Sequence, residues 1–492
     1  MKMNRMKKFT SGKAYNWVQK MNPICELFPS KEGRVSAPSL LIFLLIFING
    51  ISFSLFAQQD VEAARRDVIQ YGTEMEIANL IQVLRNENAD YLDNELIALT
   101  QTSNNQRILT GVFGFFGDRE KDGLEKRAIK AVSEREDETN ETILSAIDYL
   151  GRIKSKDAVP VLMELLDTEE RRFLNAGFRA IGRASSGDKK LADETSEFLV
   201  DFYNDRDPGN DNRSALITAV GDTGSSEGVS FLVDIATNTD ERIPLRISAI
   251  SAISRIGDEK GLDAILTCVN TNDPNVRSSA VAALGPFSGA AVDSAILDGF
   301  RDSYYRTRIA AAQASRDRKL AAAVPFLRFR AERDDVPNVK DESIRALGAI
   351  ANEEAIEILN TLFTERKNPD RVRILSVDML MKNNGGKNFN KLVIELDEAK
   401  AKNQTALYNG FLRVVGEAKV EGDKTDIENI AQRFMKSGTA IEKLYGLDMA
   451  QNNKLSNLKD EIIALARERN ESIARKARRI ADELGIEIPV VE

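Results

Sequence analysis

The chain has 492 residues, 42% hydrophobic and 29% charged, with 68 Lys+Arg against 76 Asp+Glu for a formal net charge of −8. It contains no histidine and only two cysteines, which excludes Ser-His-Asp and Cys-His catalysis, histidine metal sites and zinc clusters. The negative balance also disfavours nucleic acid and anionic lipid as partners of the chain as a whole.

Residues 1–38 are basic, with Lys2, Arg5, Lys7, Lys8, Lys13, Lys20, Lys31 and Arg34 against Glu26 and Glu32. An apolar run follows from Leu40 to Ala57, ahead of polar Gln58-Gln59. A basic flank, an apolar stretch and a small residue describe a secretory signal peptide, with cleavage expected after Ala57 and Met21 as a second possible start. The alternative is an uncleaved anchor, since the run of 18 residues, diluted by Asn49, Gly50, Ser52 and Ser54, is at the short end for a bilayer span. Either way the rest of the chain is expected outside the cytoplasm, in the periplasm or cell envelope or held there by the inner membrane, because the positive flank stays inside. Without the leader, 60 Lys+Arg face 74 Asp+Glu, a net charge of −14.

From about residue 60 on, one pattern recurs. A short helical stretch ends on a glycine preceded by an apolar residue: Gly151, Gly182, Gly221, Gly257, Gly285, Gly348, Gly416 and Gly485. Weaker copies end at Gly72 and Gly117, and degenerate ones at Ser315, Met381 and Ala450. The mean spacing is about 34 residues. Each glycine is expected to close its helix in the left-handed conformation, which glycine adopts at little cost. The residue before the anchor (Leu150, Ile181, Val220, Ile256, Leu284, Leu347, Val415) and a small residue five before it (Ala146, Gly177, Ala252, Ala280, Ala310, Ser343, Ser376) share one helical face. That face predicts close packing between neighbouring helices. A fixed period of this length marks a repeat array.

The stretches VRSSAVAALGPFSGAAVDSAIL (276–297) and IRALGAIANEEAIEILNTLF (344–363), with RIGDEKGLDAILTCV (255–269) and YLGRIKSKDAVPVLMELL (149–166), carry a family resemblance. They resemble the short bacterial HEAT repeats, the type called PBS-lyase-like. Many members place Arg eight residues before the glycine; Arg213, Arg277, Lys340 and Arg373 occupy that slot here, and Arg308 is one residue off. The resemblance spans roughly residues 60–485. It implies an all-α, right-handed α-solenoid of about twelve helical-hairpin repeats over 58–492, after a leader at 1–57, and says little about function.

Polar loops at Gln101–Gln106, Asn204–Arg213 and Asn383–Asn388 interrupt the array without dividing it. Cys25 belongs to the leader, and Cys268 in AILTCVN is expected to be a buried thiol acting as a small hydrophobe. There is no Walker-type phosphate loop and no dinucleotide fingerprint. No catalytic residue, cofactor or metal is expected. One segment departs from the acidic background. Between Arg301 and Arg333 nine cations face Asp302, Asp317 and Glu332, a local charge of +6. Arg301, Tyr304, Tyr305, Arg306, Arg316, Arg318 and Lys319 are the candidate partner-binding residues, because Arg and Tyr are enriched at interfaces. Arg316, Arg318 and Lys319 are expected to be exposed. The bland reading of the same run is a set of solvated helix faces plus the inter-repeat Arg slot.

These features predict an exported, non-enzymatic scaffold or adaptor that binds a protein partner through its solenoid surface, touching membrane only through an uncleaved N-terminal segment. The alternatives are a lyase-like HEAT enzyme and a structural spacer of the envelope.

Overall fold

The computed structural model describes residues 61–206, 208–383 and 386–489. These residues form helices joined by short connections, with no strand among them. The leader and the apolar run lie outside the described residues. Among the described residues no helix is long and apolar enough to cross a membrane. The described residues fall into two compact units, which meet between Gly111 and Val112.

In the first unit, α1 covers residues 61–71, followed by α2 (Glu74–Glu87), α3 (Asp93–Thr102) and the start of α4 (Gln106–Asp118). Thr73 starts α2 by a reciprocal cap: its hydroxyl accepts from the Glu76 N–H, and Glu76 accepts from the Thr73 N–H. Ile77, Leu80, Ile81 and Leu84 then bury one stripe of α2. Arg65 ties α1 to the end of α2 by donating to Glu87 at 2.9 Å.

In the second unit, helices follow one another in hairpins. After α5 (Glu125–Ser133) come α6 (Asn140–Arg152), α7 (Val159–Asp167), α8 (Arg171–Ser185), α9 (Lys189–Asp205), α10 (Asn210–Thr223) and α11 (Val229–Thr237). Next are α12 (Ile243–Ile256), α13 (Leu262–Cys268), α14 (Pro274–Ala283), α15 (Ala290–Gly299), α16 (Tyr305–Asp317), α17 (Val324–Arg333) and α18 (Pro337–Ile350). The unit ends with α19 (Glu353–Thr364), α20 (Asp370–Asn383), α21 (Phe389–Ala401), α22 (Thr405–Glu417), α23 (Thr425–Ser437), α24 (Ala440–Asn453), α25 (Lys459–Ala466) and α26 (Glu471–Leu484). This is an all-α solenoid. The even-numbered helices from α6 to α26 each pack on the next, in one unbroken row. The odd-numbered row is discontinuous: α17 packs on α19 and α21 on α23, whereas α15 barely touches α13 or α17.

The small positions read from the sequence, Ala146, Ala252, Ala280, Ala310, Ser343 and Ser376, are all buried. Leu150, Ile181, Val220, Leu284, Leu347 and Val415 are buried too.

The glycines behave differently from the expectation. Gly151, Gly182, Gly221, Gly348 and Gly416 lie inside their helices and do not end them. They are contact points between even helices. A Cβ on Gly151 would lie 2.7 Å from Ala180 Cα, and one on Gly182 would lie 2.6 Å from the Ala219 carbonyl oxygen. Only Gly257 and Gly485 among the eight strong anchors close their helices in the left-handed conformation, at φ 69° and 68°. Gly285 follows the end of α14 and does neither.

The two roles also shift the register. Gly151 contacts Ala180 and Gly182 contacts Ala219, each two residues before the next anchor; Gly221 contacts Ala252. The packing position of α12 is therefore Ser254, three residues before Gly257. Ile253 is buried there, while Ile256, the residue before Gly257, is half-exposed. Arg246 consequently fills the arginine slot of α12. It donates to the Ala236 carbonyl at the end of α11 at 3.0 Å, as Arg373 donates to the Phe363 carbonyl at 2.9 Å. The slot thus satisfies the open carbonyls at the end of the preceding odd helix. Cys268 is fully buried and unpaired, as expected, with burial pushing its thiol up.

Candidate partner-binding surface

Most cations of the basic segment are already engaged. Arg308 is buried and grips Asp334 with two hydrogen bonds, at 2.8 and 2.9 Å. Burial alone would raise Asp334, but Arg308 and the Val336 N–H hold its carboxyl below the usual range. Arg330 also reaches Asp334, at 3.3 Å, and Arg328 pairs with Glu332. Arg301 pairs with Asp298 at 2.7 Å. Arg306, Lys319 and Arg333 are exposed and have no carboxylate partner among the described residues.

Arg316 and Arg318 correct the expectation of exposure. Arg318 is only 17% exposed; it donates to Asp293 at 2.7 Å and to the Phe287 carbonyl, bracing the entry to α15. Arg316 is half-buried between Asp317 and Glu342. Lys319 alone is exposed as expected, in the left-handed conformation at φ 49°.

The seven candidates do not form one patch. Arg301, Tyr304, Tyr305 and Arg306 lie before or at the start of α16, and Arg316, Arg318 and Lys319 at its end. The helix is thirteen residues long, which sets its two ends about 18 Å apart at 1.5 Å per residue. At the start, Tyr304 stands edge-on to Tyr305 at 5.4 Å and donates to Asn275 at 3.0 Å. Arg306 donates to the Tyr305 hydroxyl at 3.3 Å.

Where the odd row opens, two pockets adjoin. The first, of about 410 Å³, lies between the end of α15 and α17 and is lined by Phe300, Arg301, Pro325, Phe326, Phe329 and Arg330. Phe300 stacks on Phe326 at 5.7 Å, and the Arg301 guanidinium lies 5.0 Å from the Phe326 ring. Phe329 is 50% exposed, flanked by Arg330 and Arg333 at 5.3 and 5.7 Å. The second, of about 710 Å³, lies between α13 and α15 and shares Arg301 with the first. Arg277 and Thr307 line it. Arg277 is occupied by Asp302, at 2.7 and 3.1 Å, and by the carbonyls of Thr271 and Asn272.

A family model described as spirochaete HEAT repeat protein matches residues 69–480. The chain belongs to that family. This HEAT repeat protein matches no curated protein. Among solved structures it is similar to a mutant of the karyopherin Kap121p, at 11% identity and a TM-score of 0.43, over 96% of this chain and 57% of that one. Kap121p bound to Pho4p matches at 11% identity and 0.43, over 86% and 53%. The chain spans about half the length of these karyopherins. Human deoxyhypusine hydroxylase matches at 17% identity and 0.24, over 54% of this chain and 97% of that one.

In this HEAT repeat protein, reading the segment for charge alone left Phe326 and Phe329 out of the candidate set. Their signal was present in FLRFRAER: Phe326, Phe329, Arg330 and Arg333 follow i, i+3, i+4, i+7 spacing and mark one helical face.

Proposed function

We propose that the protein is an exported, non-catalytic binding scaffold whose partner is another protein, docking on the odd-row surface around α15 and α17. The observation that carries this reading is the pair of adjoining pockets sharing Arg301, with Phe329 exposed at their rim. Exposed aromatic and arginine side chains around a concave apolar site are the composition of interface anchors. Export rests on the basic leader and the apolar run at 40–57.

A photo-crosslinking residue at Phe329, and another at exposed Ile394 on α21, would test the docking surface in intact cells. A discrete adduct from position 329, absent at 394, is expected. Identical adducts at both positions, or none at 329, would overturn it. For export, the protein from the cell envelope is expected to begin near Gln58 and, with Trp17 removed, to show tyrosine-only emission. Peptides from 1–57 in that material would favour the anchor, and recovery in the cytoplasm would refute export.

A further inference from the structure

We infer that the segment docking here is an extended peptide carrying an acidic side chain beside a bulky apolar one; this rests on the docking surface proposed above. The pocket between α15 and α17 has a wall of Phe300 and Phe326 and a rim of Phe329, which suits one Leu-, Met- or Phe-sized side chain. The charges around it are one-sided. Arg301 is 65% exposed, and Asp298, itself exposed, is the one carboxylate it pairs with among the described residues. An exposed pair of this kind contributes little, so an incoming carboxylate can share or replace Asp298 at small cost. Arg333 lies over the exposed ring of Phe329, with no carboxylate partner among the described residues. The chain at large is acidic and would repel such a peptide, so the attraction is confined to this opening.

The second pocket extends the same path. Thr307 is 1% exposed, and its hydroxyl has no hydrogen-bond partner although it lines this pocket. A buried polar group without a partner is costly. The orphan hydroxyls of Ser343 and Ser376 are likewise buried but line neither pocket. Thr307 lines this one, beside Ser303 and Asn270. A peptide backbone in this groove supplies the donors and acceptors these groups can pair with. Arg277 is saturated by Asp302 and two carbonyls, so the acidic side chain belongs to Arg301 and Arg333.

The test is selection of a random octapeptide display library on the full chain, followed by binding of the enriched peptides to variants. Enriched sequences are expected to place Asp or Glu next to Leu, Met or Phe. Binding is expected to fall roughly tenfold or more in Arg301→Glu and in Phe329→Ser, the range of interface hot spots. It should weaken as salt rises and stay unchanged in Lys319→Glu. Both altered residues are exposed, so unaltered melting curves would show that the variants fold. No enrichment, enrichment of basic or charge-indifferent peptides, or full binding by Arg301→Glu would overturn the inference. A discrete crosslink at 329 together with charge-indifferent peptides would sink the acidic specificity and leave the docking surface standing. Loss of both would sink both.

Discussion

At the scale of single residues, two glycines that look alike in sequence differ in consequence: Gly182 is a contact between even helices, and Gly285 neither packs nor caps. Gly182 sits in a helix interior, where alanine would gain about 1 kcal/mol in intrinsic propensity. The added methyl, however, would meet the Ala219 backbone at 2.6 Å, and overpacking of that kind costs about 1–3 kcal/mol. Strain against backbone cannot be relieved by a rotamer change. Gly182→Ala is therefore expected to lower stability by up to about 2 kcal/mol net. At Gly285 an added methyl would meet only the Ala282 carbonyl oxygen, at an ordinary 3.8 Å, and φ is not left-handed. Gly285→Ala is expected to be neutral or to stabilise by up to about 1 kcal/mol. Urea titration of both variants reads the difference, and equal losses would return both glycines to the same role. The arginines divide in the same way. Arg316→Glu would face Glu342, a mostly buried carboxylate, and is expected to destabilise by about 1–3 kcal/mol. Lys319→Glu should change stability by less than about 0.5 kcal/mol. Thermal melts of the two single variants decide whether the end of α16 is structural.

At the scale of elements, the arginine slot links α12, α14 and α20 to the chain at the end of the preceding odd helix, and α24 shows it with reversed charge. Eight residues before the Ala450 anchor stands Glu442. It caps α24 together with Thr439, and it accepts from Lys400 at 2.6 Å and from the Tyr408 hydroxyl at 2.7 Å. Burial alone would raise its carboxyl, but Lys400, the Thr439 N–H and Tyr408 hold it at about 2. Tyr408 is pushed up, by burial first and by Glu442 second. A folded-state value below the unfolded one means stability that is complete above pH about 4.5 and lost as pH falls toward 2. Wild type should therefore exceed Glu442→Gln in melting temperature at pH 7, with the gap closing below pH about 4.5. A gap independent of pH would mean that the carboxylate charge is not what ties α21 and α22 to α24.

At the scale of the second unit, stability is a chain of nearest-neighbour interfaces, because each even helix packs on the even helices before and after it and on the odd helices of its own and adjacent hairpins. Leu347→Asp places a charge at a fully buried position of α18, and an unpaired buried charge costs several kcal/mol. The damage should be greatest in α16, α18 and α20 and should weaken toward α6 and α26. Hydrogen exchange resolved by peptide would show that gradient. Uniform loss of protection along the unit would mean that it folds as one cooperative block, and full protection would mean that Leu347 is not core.

Much of this architecture is written in local pattern. Every helix must bury one stripe, and a stacked array repeats that demand at a near-constant interval, so Leu150, Leu347 and Val415 could be placed in the core from spacing alone, and Cys268 from its apolar surroundings. Helix ends were less legible. Gly257 and Gly151 share the same local signature, yet one is a cap and the other a contact surface, and only the position of the next helix separates them. That ambiguity moved the register of α12 by three residues and concealed Arg246. The candidate surface was half visible: the +6 run pointed to the right segment, but charge counting could not tell spent cations from available ones. Arg308 meets Asp334, 26 residues away, and Arg318 meets Asp293, 25 residues away. Whether such pairs form depends on how adjacent hairpins are set against each other. The pockets beside Arg301 have the same origin, because they lie where α15 barely touches α13 or α17 while the even row stays packed.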